Sequence, residues 1–256
     1  MKILLSLLIL ASLYSVAPIP SAKTRWQSPV QEEPITIGET FTIHSKVLDE
    51  TRRINIYLPP GYAQSSSRRL PVLYMPDGGM NEDFLHIAGL VQICVSNGTM
   101  RPFILAGIEN TERRRDLTGP TENKQDKKIA LRVGGSQLFR QFLRDELMPE
   151  VKRRYRTTDE AAIVGESLAG LFVVETFLLE PELFDTYIAI DPSLWWNDQK
   201  LLNTAAERIR ALSKRQKTLY FASSNEPGIV ATSQRLKDIL SANASPVLRW
   251  HYVKKA

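Results

Sequence analysis

The chain has 256 residues, 43% of them hydrophobic and 24% charged, enough to bury one ordinary core and too apolar for disorder. Its net charge of +5 comes from scattered basic residues, which argues against a nucleic-acid partner. One cysteine, Cys94, excludes an intramolecular disulfide framework, and three histidines without ligand-type spacing argue against a metal centre.

The first 22 residues carry Lys2, an apolar stretch from Ile3 to Leu10 and small residues near Ala17 and Ala22, the pattern of a secretory signal. An exported protein is therefore expected, periplasmic or secreted. No later segment is long and apolar enough to span a membrane. Residues 23–39 read as a leader, and residues 40–256 as one domain.

Phe41–Val47 and Arg53–Leu58 are rich in β-branched and aromatic residues and predict an antiparallel hairpin. Leu70–Met75, Phe103–Ile108, Ala161–Val164, Tyr187–Ile190 and Thr218–Ala222 are short, continuously apolar runs, as in parallel strands buried on both faces. Cys94 sits in the apolar run Leu90–Val95 and reads as a buried bystander. Helical periodicity joins Leu138, Phe142, Leu147, Val151 and Tyr155, and further helices are predicted over Leu168–Leu179, Leu201–Leu212 and Val230–Leu240. Val247–Val253 reads as the last strand. Together these elements predict an α/β fold: a mostly parallel sheet with an N-terminal antiparallel hairpin and helices on both faces. Ligands of such sheets bind at the carboxyl ends of the strands.

At one of those ends stands Ala162-Ile163-Val164-Gly165-Glu166-Ser167-Leu168-Ala169-Gly170, an apolar strand, a serine between small residues, and a helix. This is a nucleophile-elbow arrangement, with Ala169 replacing the second glycine of G-x-S-x-G. A serine N-cap offers the plainer reading. Small residues at Gly165, Ala169 and Gly170, where strand and helix must nearly touch, favour the elbow. Acyl transfer at Ser167 needs an oxyanion hole: the Leu168 amide supplies one donor, and the loop Met75-Pro76-Asp77-Gly78-Gly79-Met80 the other, from Gly79 or Met80. No phosphate-cradling glycine loop is present.

The order YLPPGY (Tyr57–Tyr62), VLYMPDGG (Val72–Gly79), GIENTERRRDLT (Gly107–Thr118), GESLAGLF (Gly165–Phe172) and DPSLWW (Asp191–Trp196) resembles the Putative esterase branch of the α/β-hydrolase fold, which includes siderophore (enterochelin-type) and esterase-D-like enzymes. The resemblance implies a small-molecule ester substrate, Ser167 as nucleophile, the Gly79 loop as oxyanion hole and no cofactor. It also implies that the loop of Arg113, Arg114, Arg115 and Asp116 borders the site, so that Arg115 is a candidate for an acidic or polyhydroxylated substrate. Trp195 and Trp196 are candidates to wall a pocket, with core packing as the other reading. The triad acid is expected at Glu226, with Asp191 in reserve. The histidine is expected after the last strand, in a loop followed by a helix, and the chain ends before such a loop. His251 alternates along a strand and should point to a sheet face, His86 precedes the nucleophile on a predicted helix, and His44 lies on the first strand. An esterase and a homologue that keeps the pocket but lacks the triad histidine are thus both open readings.

Overall fold

The structure is a computed structural model and describes residues 33–212 and 216–255. The predicted signal segment lies outside the described residues. Residues 33–36 form an irregular exposed stretch, and the sheet begins shortly after.

Eight strands form one sheet: β1 (Glu39–Ser45), β2 (Glu50–Tyr57), β3 (Leu70–Pro76), β4 (Ile104–Ile108), β5 (Thr157–Glu166), β6 (Thr186–Ile190), β7 (Lys217–Ser223) and β8 (Leu248–Lys254), in the order β1-β2-β4-β3-β5-β6-β7-β8. β1, β2 and β4 pair antiparallel, and every pairing from β4 to β8 is parallel. Both predicted classes of strand are present, because β3 and β4 are buried at every position, as their unbroken apolar runs require.

The helices are α1 (Phe84–Ser96), α2 (Arg113–Asp116), α3 (Ser136–Phe142), α4 (Met148–Arg154), α5 (Leu168–Leu179), α6 (Trp196–Arg210) and α7 (Pro227–Asn243). α3 and α4 run on through a π-helical turn, Leu143–Leu147. Pro149 lies just beyond this turn and has no amide to donate. The wider turn keeps Phe142 and Leu147, five residues apart, on one face: Phe139, Phe142, Leu143, Leu147 and Val151 are buried, whereas Leu138, expected on the inner face, is exposed. Cys94 is likewise half-buried rather than buried.

The main core joins one face of the sheet to α3 through α7, and a smaller core packs Leu73, Met75, Leu105 and Ala162 on Phe84, Ala88 and Val91 of α1. On the α1 side, β6 to β8 are less covered. Ile188, Ile190, Tyr220 and Ala222 are half-buried there, and His251 and Val253 are exposed.

One ion network pins the chain leaving β4 to the hairpin. Arg52, fully buried on β2, donates to Asp116 at the end of α2 and pairs with Glu50 at 2.6 Å, its guanidinium lying over the Phe139 and Phe142 rings. Arg115 donates to Asp116 at 2.7 Å and to Glu50 at 2.7 Å. Breaking one partner of a buried pair strands the other charge. Asp116→Ala is therefore expected to cost about 3–5 kcal/mol by urea denaturation, far more than Asp159→Ala at an exposed surface pair.

Candidate active site

Ser167 occupies the single residue between β5 and α5, with φ +58° and ψ −117°, a backbone conformation costly for a side-chain-bearing residue. It is held there by bonds to the end of β6. The Ser167 amide donates to the Ile190 carbonyl at 2.9 Å, and the Ser193 amide donates to the Ser167 carbonyl at 3.1 Å. Close approach requires the small residues. A Cβ on Gly165 would lie 2.6 Å from the Ala169 carbonyl carbon, and one on Gly170 2.7 Å from the Ile190 oxygen. The Leu168 amide, first in α5, has no partner among the described residues and faces the helix N-terminal field.

β3 neighbours β5, with Leu73 opposite Ala162 and Tyr74 opposite Ile163, so the loop after β3 emerges beside the elbow. Its Gly79 amide, expected as an oxyanion donor, instead donates to Glu82 Oε2 at 2.6 Å. Met80 is exposed, and its amide has no partner among the described residues. The carboxylate of Asp77 receives Arg113 through both Nε (2.6 Å) and Nη2 (2.8 Å).

The arginine run is divided. Arg113 and Arg115 are engaged by Asp77 and by Glu50 with Asp116, so Arg115, the expected substrate contact, serves the ion network instead. Arg114 is exposed and donates to the Ile129 carbonyl at 2.7 Å; with Arg132, which pairs with Glu112, it lines a cavity of about 310 Å³ beside the α2 loop, which also includes Leu131. Arg132 was not singled out by the sequence, because it lies 17 residues beyond Arg115 in an unpatterned loop. The two tryptophans separate as well. Trp196 is buried and donates Nε1–H to the Gly119 carbonyl at 2.8 Å, whereas Trp195 is 39% exposed.

Glu226, the expected triad acid, is the N-cap of α7 and accepts the Ile229 amide at 2.7 Å. Asp191, the reserve, accepts the Ser224 amide and so ties the end of β6 to the loop after β7. Neither carboxylate has a histidine partner among the described residues.

The histidines lie in three places. His44 is on β1, at the far edge of the sheet, within 3.5 Å of Thr51 Oγ1. His251 is on β8, stacked on Tyr220 with ring centroids 5.9 Å apart, and three inter-strand steps separate it from β5. At about 4.8 Å per step this is roughly 14 Å across the sheet, beyond the reach of an imidazole. His86, in the first turn of α1, lines a cavity of about 440 Å³ with Met75, Ile87, Leu90, Glu166 and Ile190. Ser167 Oγ shares a hydrogen bond with Ser193 Oγ at 3.4 Å, a residue the sequence placed only within the DPSLWW motif.

Partial desolvation, and then the negative charges of Asp83, Asp191 and Asp77, raise the pKa of Glu166 above its ordinary 4.5. A carboxyl whose folded pKa is raised loses stabilisation as pH climbs from the unfolded value through the folded one. Glu166→Gln removes that loss. Its melting temperature should exceed wild type at pH 7 and converge with it well below pH 4.5 in a calorimetric pH series.

Residues 45–244 match the family model described as Putative esterase. Ferri-bacillibactin esterase BesA of Bacillus subtilis is 29% identical over 174 residues, which cover 60% of this chain and 58% of that protein. The siderophore triacetylfusarinine C esterase of Aspergillus fumigatus is 32% identical over 159 residues, 56% of this chain and 50% of that one. The chain thus spans little more than half the length of these curated relatives. Among solved structures, an IroE-like serine hydrolase from Shewanella oneidensis is 32% identical, with a TM-score of 0.76 over 86% of this chain and 73% of that one.

Proposed function

Because the chain belongs to the Putative esterase family, we propose that it is an exported carboxylic-ester hydrolase with Ser167 as nucleophile. The observation that carries this reading is the strained Ser167 at the strand–helix turn, beside the unpartnered Leu168 amide. Ser167 Oγ attacks the ester carbonyl carbon as its proton leaves to a base, and the carbonyl oxygen gains the negative charge. Expulsion of the alcohol leaves an acyl-enzyme, which water cleaves to the acid and free Ser167. The Leu168 amide and the field of α5 stabilise the oxyanion.

Substrate class follows from charge. Arg114 and Arg132 flank an open cavity, and two of the relatives named above are a ferri-bacillibactin esterase and a siderophore triacetylfusarinine C esterase. The reading favours an anionic, polyhydroxylated ester such as a siderophore lactone, with Trp195 as an exposed aromatic wall. Export is tested by whether protein recovered from outside the cytoplasm begins near Lys23.

The histidine positions favour a second reading, a homologue that binds such esters without turning them over. A fluorophosphonate probe separates the two. The esterase reading expects covalent labelling that Ser167→Ala abolishes, and the absence of labelling in folded protein sinks it. Within the esterase reading, replacing both Arg114 and Arg132 by Ala should raise KM for an anionic ester at least tenfold and leave KM for a neutral short-chain ester within about twofold, one lost charged hydrogen bond being worth ~1.5–3 kcal/mol.

A further inference from the structure

We infer, on the esterase reading above, that Asn197 and Asp126 are positioning residues for the aromatic wall at Trp195. They hold a left-handed turn at the start of α6, and that turn sets how Trp195 stands beside the nucleophile.

α6 does not begin with the right-handed twist it later has. Asn197, Asp198 and Gln199 have φ of +47°, +52° and +61° and ψ of +50°, +37° and +24°. A run of L-residues in this region brings each Cβ too close to the following carbonyl oxygen. Asparagine and aspartate tolerate it singly, because their short side chains bond nearby backbone, but Gln199 gains no such help. Three in succession persist only where the surroundings over-determine them.

Those surroundings are the loop that follows α2. The Asn197 amide donates to Asp126 Oδ2 at 2.8 Å, and Thr121 Oγ1 donates to the same oxygen at 2.7 Å. Asp126 and Thr121 are both buried. The Asn197 side chain donates to the Pro120 carbonyl at 3.1 Å and accepts the Glu122 amide at 3.1 Å. Asp198 Oδ1 accepts Asn123 Nδ2 at 2.8 Å. With the Trp196 bond to Gly119, each residue from Gly119 to Asn123 meets Trp196, Asn197 or Asp198. The loop is itself fixed, since a Cβ on Gly119 would lie 2.3 Å from Glu175 Oε1 on α5.

From the turn the restraint passes to Ser167. The Gln199 amide donates to the Trp195 carbonyl at 3.3 Å, and the Trp196 amide to the Ser193 carbonyl at 3.2 Å. Ser193 in turn clamps the Ser167 carbonyl through its own amide. Trp195 therefore lies between a clamp on the nucleophile and a turn of imposed hand. Which indole of the adjacent pair is buried and which is exposed depends on the direction of the chain at this point. A right-handed Asn197–Gln199 would carry the Asn197 side chain away from Pro120 and Glu122, and the pair would turn with it.

The test combines ester kinetics with fluorine NMR of protein labelled with fluorotryptophan, the Trp195 resonance being identified by its loss in Trp195→Phe. Asn197→Ala and Asp126→Ala should shift that resonance. They should raise KM for an aromatic ester about three- to tenfold, the worth of one aromatic contact, and leave KM for a short-chain aliphatic ester within about twofold. Asp126→Asn keeps an acceptor oxygen and should lie closer to wild type. Gln199→Val and Gln199→Gly both lose a bond from Arg235, but only the β-branched replacement resists the left-handed region, so it should raise KM the more. Because the effect runs through Trp195, Asn197→Ala should add nothing to KM in a Trp195→Ala background. The proposal is overturned if folded Asn197→Ala leaves the resonance and KM unchanged, or adds its full effect on KM in that background. Should Asn197→Ala not fold, the comparison of Gln199→Val with Gln199→Gly decides by the same two readouts. Wild type that takes no fluorophosphonate label defeats the esterase reading, and the positioning of Trp195 then stands or falls on its resonance.

Discussion

The close passage of β5 against α5 is the constraint on which the site depends. Strand and helix approach until the positions of Gly165 and Gly170 have no room for a Cβ, and the one residue between them takes a φ of +58°. Such a conformation costs on the order of 1–3 kcal/mol and persists only where its surroundings over-determine it. Here they do. α5 is buried from Leu168 to Leu178 on every side, and two backbone hydrogen bonds to β6 and the loop after it clamp Ser167 at both its amide and its carbonyl. The helix is thus central to the core, and its first residues inherit their geometry from that core rather than from their own cap.

A second fixed point lies across the sheet. The segment after β4 places Arg113, Arg114 and Arg115 on one short helix, where successive side chains project in different directions. Arg115 turns inward to Glu50 and Asp116, Arg113 turns to Asp77 in the loop after β3, and Arg114 remains outward. Two of three adjacent cations are therefore held by carboxylates, and the third, Arg114, donates to the Ile129 carbonyl at 2.7 Å with the rest of its side chain exposed. Composition counts the three as equivalent, yet the acidic partners that distinguish them come from β2 and from the loop after β3.

The same distinction explains what was legible in the sequence. Strand positions, the mostly parallel character of the sheet and the elbow could be read, because they depend on local apolar runs and on small residues at fixed spacing. Leu168–Leu179 was delimited to the residue by Ser167 on one side and Pro181 on the other. The state of individual polar groups could not be read. Glu226 stands at the right strand end for an acid, but at that end the Ile229 amide also needs a cap. Gly79 has the expected loop position, yet its amide is taken by a carboxylate three residues on. Each of these outcomes turns on a competition between donors and acceptors within a few ångströms, which spacing along the chain does not encode.

Three neighbouring parallel strands end alike, and this gives the site its shape. Asp77 follows β3, Ser167 follows β5 and Asp191 follows β6, and each has positive φ. Aspartate tolerates that region because its short side chain can bond nearby backbone, as Asp191 does with the Ser224 amide. Each strand therefore breaks off abruptly instead of running on over the sheet edge, and the three ends leave a shallow depression with Ser167 in the middle strand. Two of the three turns carry carboxylates, and with Asp83 they raise the pKa of Glu166. The strand ends around Ser167 are thus acidic, whereas the cavity beside the α2 loop is lined mainly by arginines. On the esterase reading proposed above, the charged part of an anionic ester would be drawn to that arginine-lined side.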